Sequence, residues 1–169
     1  LWVYLGIQKG QVTQDGLTGL NNRRRLDQYM WELDERSGER ETCCYLLMDV
    51  NKFKKVNDTY GHVTGDEVLR LVAEQLKRTF GNMQAFLARY GGDEFVVIVK
   101  GKTQDEMDVI IHQTQENVNA IAWGADTPWQ LSISIGCAMR GEQGKQKSHE
   151  LLALADERMY RQKKGIQDR

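Results

Sequence analysis

The 169-residue chain is poor in several things that would otherwise assign it to a class. Its three cysteines, Cys43, Cys44 and Cys137, are too few and too irregularly spaced for a disulfide framework or a zinc knuckle. Adjacent Cys43 and Cys44 point to opposite faces of a strand, so all three read as inert packing thiols in a reduced interior. The single proline, Pro128, falls in a loop. No apolar run approaches the ~18 to 20 residues of a membrane span. Charge of one sign is not in excess either: 23 Lys and Arg stand against 24 Asp and Glu, a formal net charge of -1. A domain that coats nucleic acid by releasing counterions is normally basic, so no nucleic-acid partner is expected and any phosphate chemistry must be local. No Gly-x-x-x-x-Gly-Lys-Ser/Thr loop occurs, which excludes a P-loop nucleotide enzyme.

What is present is enough for one core. A hydrophobic fraction of 40% in a chain of this length supports a single domain without staples, and there is no internal repeat or low-complexity segment. Leu1 to Ile7 is too short for a signal-peptide core and begins without Met. Residues 1–12 therefore read as the end of an upstream linker or helix, and 13–169 as the domain. The expectation is a cytoplasmic output module of a longer protein, with membrane anchoring of that protein left open.

Leu26, Tyr29, Met30 and Leu33 recur at helical spacing after Asn21 and Asn22, either of which can cap, and Ser37-Gly38 reads as the stop. Cys43 to Met48 is a short apolar run, a buried strand that delivers Asp49 at its end. A polar stretch with Asn57, Asp58 and Gly61 follows, then a helix with Val68, Leu69, Val72 and Leu76 whose first turn holds Asp66 and Glu67. Ala85 to Arg89 and Phe95 to Val99 flank a Gly91-Gly92 turn and read as a hairpin. Thr103 and Glu106 form a capping box for the next helix. Leu131, Ile133, Ile135 and Cys137 alternate with small polar residues and predict a strand buried on one face. A last helix spans about Ser148 to Lys164. This order predicts an α+β domain with a mostly antiparallel central sheet surrounded by helices.

Acidic residues stand where the backbone turns: Asp49 at the end of an apolar strand, and Asp93 with Glu94 in the hairpin. Taken singly, Asp49 reads as a turn cap and Gly91-Gly92-Asp93 as a tight hairpin. Together they form an oxygen-donor set suited to a hard ion such as Mg²⁺. The lysines of Asn51 to Asp58 could neutralise a polyphosphate, and Asn57 with Asp66 could read a base through an amide and a carboxylate. On spacing alone, a solvated turn and an ordinary helix start remain open for that pair. Arg23 to Arg25 read as a solvated helix start, Trp123 and Trp129 as packing anchors, and Arg89 as a strand-end salt-bridge residue. His112 and His149 have no partner that points to metal.

Five segments then carry a resemblance. They are Asp15-Gly-Leu-Thr-Gly-Leu20-Asn-Asn-Arg-Arg24, Met48-Asp-Val-Asn-Lys-Phe-Lys-Lys-Val-Asn-Asp-Thr-Tyr-Gly-His62 with Gly65-Asp66, Arg89-Tyr-Gly-Gly-Asp-Glu-Phe95, Ser132-Ile-Ser-Ile-Gly-Cys-Ala138, and Ala155-Asp156 through Met159-Tyr160 to Lys163. In order and spacing the chain resembles the GGDEF family of bacterial diguanylate cyclases over about residues 13–165. The resemblance implies a palm-like fold of the nucleotidyl cyclase type. It implies condensation of two GTP into cyclic di-GMP with release of two pyrophosphates, for second-messenger signalling, in a homodimer of two such domains. It puts the metal, Mg²⁺ or alternatively Mn²⁺, on Asp49, the Val50 carbonyl and Asp93, with Glu94 beside them. Phe53, Asn57, His62, Asp66 and Lys163 fall at substrate positions, Asn57 and Asp66 on guanine, and Lys54 and Lys163 on phosphate. Asp93 and Lys54 take the catalytic roles, as base and as stabiliser of phosphate charge.

The chain also departs from the family pattern. Asn51 replaces the second acid of the usual Asp-x-Asp, with modest consequences expected. Asn82-Met-Gln-Ala85 stands where many members carry an inhibitory Arg-x-x-Asp, so that product-binding site is expected to be absent. Lys164, Gly165 and Ile166 follow Lys163 at a shortened spacing, and only Lys164 could replace the usual second basic contact. The alternative to an active enzyme is a silent GGDEF module that binds GTP and regulates an attached domain. A cyclase of the 3′,5′-mononucleotide type has no motif in its favour.

Overall fold

Eight consecutive residues, Cys43–Val50, are all buried, which requires a strand with neighbours on both edges and cover on both faces. The computed structural model, which describes residues 12–36, 41–124 and 129–167, places this strand (β1) inside a four-stranded antiparallel sheet. β2 (Ala85–Arg89) pairs with β3 (Glu94–Lys100), β3 with β1, and β1 with β4 (Ile133–Met139), in the order β2-β3-β1-β4. The expected α+β class and the mostly antiparallel sheet are what is found. The residues 1–11, the Ser37-Gly38 helix stop and Pro128 lie outside the described residues.

Alternation along β1 divides the core. Leu46, Met48 and Val50 face a cluster completed by Val68, Leu69, Val72 and Leu76 of α3 (His62–Phe80) and by Met107 and Val118 of α4 (Gln104–Asn119). Tyr45 and Leu47 face a second cluster with Leu26 and Leu33 of α1 (Arg23–Glu35) and Leu151, Ala155 and Met159 of α5 (Ser148–Gln167). Cys44 and Cys43 fall one in each cluster, both buried and free, which matches their reading as packing thiols. Among the described residues no helix is long and apolar enough to cross a membrane.

The termini of these elements follow local chemistry. The Asn22 side chain accepts from Arg25 N at 2.9 Å and caps α1, while Asn21 instead donates to the Leu87 carbonyl at 2.8 Å. Both bonds of the Thr103–Glu106 capping box are made. A relay of donors ties the end of α1 to the start of α5: Arg140 donates to the Tyr45 hydroxyl at 3.0 Å, Tyr45 lies 2.8 Å from the Ser148 hydroxyl, and Ser148 donates to Asp34 at 2.8 Å.

Three expectations are corrected. The polar stretch after β1 contains a helix, α2 (Phe53–Tyr60), entered through Lys52 at φ 56° and anchored by buried Val56. Phe53, Val56 and Tyr60 have helical spacing, but one buried residue in eight is too weak a signal to stand out. Second, α3 begins at His62, directly after Gly61 at φ 87°, so Asp66 lies in its second turn rather than its first. Third, β4 is buried from Ile133 to Ala138 on both faces, because α5 lies on the side carrying Ser134 and Gly136.

Gly136 explains how closely that helix lies. A Cβ there would come within 1.8 Å of the Ala155 carbonyl oxygen and 2.5 Å of the Met159 nitrogen, both backbone atoms that cannot rotate away. Gly136→Ala must lift α5 from the sheet, and overpacking of this kind costs about 2 kcal/mol. The expected result is a fall in thermal midpoint of roughly 4–8 °C, measured by calorimetry on the purified chain. An unchanged midpoint would mean that α5 is not seated on the β4 backbone.

Candidate functional site

β1 ends in Asp49, a carboxylate only 6% exposed. Asp49 is directly opposite Glu94, the first residue of β3, so the two side chains share the sheet face that carries α5. The turn before Glu94 is stitched to β1 by Val50 N, which donates to the Asp93 carbonyl at 3.2 Å. As a result, one carboxylate oxygen from each of Asp49, Asp93 and Glu94 lies within 4.8 Å of the others. From α5, Lys163 Nζ donates to Asp49 Oδ2 at 2.7 Å, while Asp49 Oδ1 is buried with no hydrogen-bond partner. A buried carboxylate oxygen without a partner, beside two further carboxylates, is a donor set that fits a hard divalent cation.

The charges in this cluster perturb one another. Burial and the neighbouring Asp49 charge push the Asp93 carboxyl up to about 6. Burial, then Asp49 and Asp156, raise Glu94 above its ordinary value. For Lys163, burial opposes the charge, but the bond to Asp49 and the charges of Asp49, Asp93 and Glu94 outweigh it and hold the ammonium protonated.

A clamp that sequence reasoning only half found fixes the turn. Arg89, at the end of β2, donates through Nε to the carbonyls of Gly91 and Gly92 at 3.2 Å each and through Nη2 to Gly92 at 2.8 Å. Its Nη1 lies 3.2 Å from Asp15, a partly buried ion pair that confirms Arg89 as a salt-bridge residue. Asp15 also accepts from the Thr18 amide and hydroxyl, both at 2.8 Å. Against the upward push of burial, these bonds and the Arg89 charge hold the Asp15 carboxyl below its usual range. The signal for Asp15 was the Asp-x-x-Thr turn, but its partner lies 74 residues away and no local pattern names it.

Asn51 closes the other side of β1. Its amide donates to Ser132 Oγ at 3.0 Å and accepts from Ser134 Oγ at 2.7 Å, so the residue that replaces an acid ties β1 to β4. Trp123 donates to the Trp129 carbonyl at 3.0 Å and both rings meet Tyr60 edge-on, in keeping with packing anchors.

The remaining candidates lie on the α2–α3 pair. Phe53 and Asn57 are half-buried on α2, and Asn57 Oδ1 is buried with no hydrogen-bond partner. Asp66 and His62 are exposed on α3. Lys54 is solvent-facing, 3.9 Å from Asp58. Asp49, Val50, Asp93, Glu94 and Lys163 are thus brought together, and Phe53, Asn57 and the start of α3 form a second group. Among the described residues no hydrogen bond or ion pair joins Lys54 or His62 to either group.

An antiparallel sheet with a carboxylate cluster at the end of its central strand and a lysine beside it offers a seat for a divalent cation. Residues 12–169 match the family model described as diguanylate cyclase, GGDEF domain, and the chain belongs to the GGDEF family. Among curated relatives, the probable diguanylate cyclase DgcI of Escherichia coli is 38% identical over 156 residues, covering 89% of this chain and 31% of that protein. The E. coli diguanylate cyclase DosC is 34% identical over 161 residues, covering 91% of this chain and 34% of its own length. The chain therefore spans about a third of these relatives. The GGDEF domain of DgcB from Caulobacter crescentus, solved in complex with c-di-GMP, superposes with a TM-score of 0.80 at 30% identity over 91% of each chain. The fold is thus the palm-like fold of GGDEF domains, and diguanylate cyclases of this family use divalent metals.

The raised Asp93 value fixes the sign of a pH effect. Because the folded chain binds this proton more tightly than the unfolded chain does, the group's contribution to stability falls as pH rises from about 4 to about 6. A divalent cation bound to the acids removes that cost and competes with the proton. Added Mg²⁺ is expected to raise the thermal midpoint clearly at pH 7.5 and little at pH 5. An equal rise at both values would separate the metal from Asp93.

Proposed function

We propose that the chain is an active diguanylate cyclase domain that condenses two GTP into cyclic di-GMP and two pyrophosphates. The observation that carries this reading is the cluster of Asp49, Asp93 and Glu94, with its unpartnered buried oxygen. Asp49, Asp93, Glu94 and the Val50 carbonyl would hold Mg²⁺, or Mn²⁺ in its place. Such an ion, when bound, acidifies a hydroxyl and offsets charge on a leaving pyrophosphate.

The residues divide the rest of the work. Asp93, the carboxylate on the Gly91-Gly92 turn beside Asp49, takes the proton of the 3′-hydroxyl. The freed oxygen forms a bond to the α-phosphorus of the other GTP, and the bond to pyrophosphate breaks. Lys163, already close to the acids, and Lys54, on the outer side of α2, neutralise the phosphates. Asn57 and Asp66 read guanine: an ionised carboxylate only accepts, and guanine offers N–H groups where adenine does not. Phe53 and His62 border the nucleotide. One chain supplies one such seat, so two copies face each other as a homodimer. The domain works in the cytoplasm as part of second-messenger signalling.

Retention of Asp49, Asp93 and Glu94 supports this reading over that of a silent GTP-binding module. Incubation of the purified chain, dimerised through a fused coiled coil, with GTP and Mg²⁺ should yield cyclic di-GMP by chromatography. Asp93→Ala should reduce the rate at least a thousandfold, the scale of removing both an acid–base group and a metal ligand. Tight GTP binding without product from the parent chain would favour the silent module. Full turnover by the variant would remove Asp93 from the mechanism.

A further inference from the structure

We infer that Gly65 is a positioning residue for base recognition: its missing side chain makes the space in which the Asn57 carboxamide is held. The inference rests on the proposed role of Asn57 as a guanine contact.

Gly65 lies inside α3, where glycine is a poor choice. Its amide donates to the Gly61 carbonyl at 3.1 Å as an ordinary helical residue, and it is not among the positive-φ glycines. No turn or left-handed conformation asks for it, and alanine there would favour the helix. The reason is spatial. A Cβ on Gly65 would fall 1.8 Å from Asn57 Oδ1, 2.9 Å from its Cγ and 3.3 Å from Phe53 Cζ. No real side chain tolerates the first of these distances. Gly65 is itself buried, so the Asn57 amide rests against bare helix backbone.

The held group is unusual too. Asn57 Oδ1 is buried without a hydrogen-bond partner, a state that is costly unless a ligand supplies a donor. The next residue of α3 after Gly65 is Asp66, a second acceptor. Close approach of α2 to α3 at Gly65 therefore sets Asn57 beside the turn of α3 that carries Asp66, and on the proposed reading both acceptors serve a base edge that carries N–H donors. A methyl group at position 65 turns the Asn57 amide out of its seat and presses on the Phe53 ring, but leaves Asp49, Asp93, Glu94 and Lys163 untouched.

The test uses the full chain and a guanosine triphosphate whose α,β-bridging oxygen is replaced by methylene, so that binding is read without turnover. Isothermal titration should show Gly65→Ala weakening binding by about tenfold to a hundredfold, the loss of one well-made polar contact in a buried site. The corresponding adenosine analogue should change little, so discrimination between the bases narrows. In steady-state assays KM should rise far more than kcat falls. Asn57→Ala should weaken binding by a similar factor, and the Asn57→Ala/Gly65→Ala double variant should lose no more than either alone. If Gly65→Ala does not fold by circular dichroism, the double variant, which removes the clash, should recover the fold. Parent-like affinity of Gly65→Ala, or additive losses in the double variant, overturns the inference while leaving the guanine reading intact. No effect of Asn57→Ala on binding overturns both.

Discussion

Everything at this site depends on keeping a charged carboxylate at the end of a strand that is otherwise fully buried. Asp49 is almost inaccessible, and an isolated buried carboxylate would simply take up a proton. Its partner is the Lys163 ammonium at 2.7 Å, which comes from the far end of the chain on α5. The pair ties the first strand of the sheet to the last helix, so the site can form only when the whole fold has formed.

That dependence explains why the supports are spread so widely. α5 reaches Asp49 because Gly136 lets it lie on the backbone of β4. The Gly91-Gly92 turn, which has no packing of its own, is held by Arg89, and Arg89 is held by Asp15 at the start of the domain. Asn51 fixes the opposite edge through Ser134 of β4 and Ser132 just before it. Each support is a polar or close-packed contact between segments distant in sequence. The cluster of acids is therefore pre-organised, which is the condition for a site to act electrostatically.

The elements whose signal is local were legible in the sequence: the buried run of β1, the β2–β3 hairpin, the Thr103–Glu106 capping box and the four longer helices. So was the acid cluster, because Asp49 and Asp93 stand at strand ends where polar residues have no packing role. α2 was not, since a one-anchor helix of eight residues resembles a polar loop. β4 was misread because Ser134 and Gly136 look solvent-facing by polarity, yet are covered by the serine's bond to Asn51 and by the glycine's contact with α5. The Asp15–Arg89 bridge and the Lys163–Asp49 pair needed three-dimensional proximity. Family resemblance supplied roles for Lys163, Asn57 and Asp66 that spacing alone left open, but it did not supply these contacts.

The near balance of charge in the whole chain conceals a local imbalance that orders events at the site. Three carboxylates face one lysine within the cluster, so a triphosphate approaching it meets net negative charge. The upward shifts of Asp93 and Glu94 have their cause in burial and in that same repulsion. On the proposed reaction, a divalent cation held by these acids would cancel that excess negative charge and compete with the proton on Asp93. Metal and nucleotide would then favour each other's binding, since each supplies the charge the other lacks. Lys163 would gain by the same exchange: with a cation neutralising Asp49, its ammonium would become available to the phosphate instead. On the proposed reaction, the Lys163–Asp49 ion pair is also the contact that substrate binding rearranges.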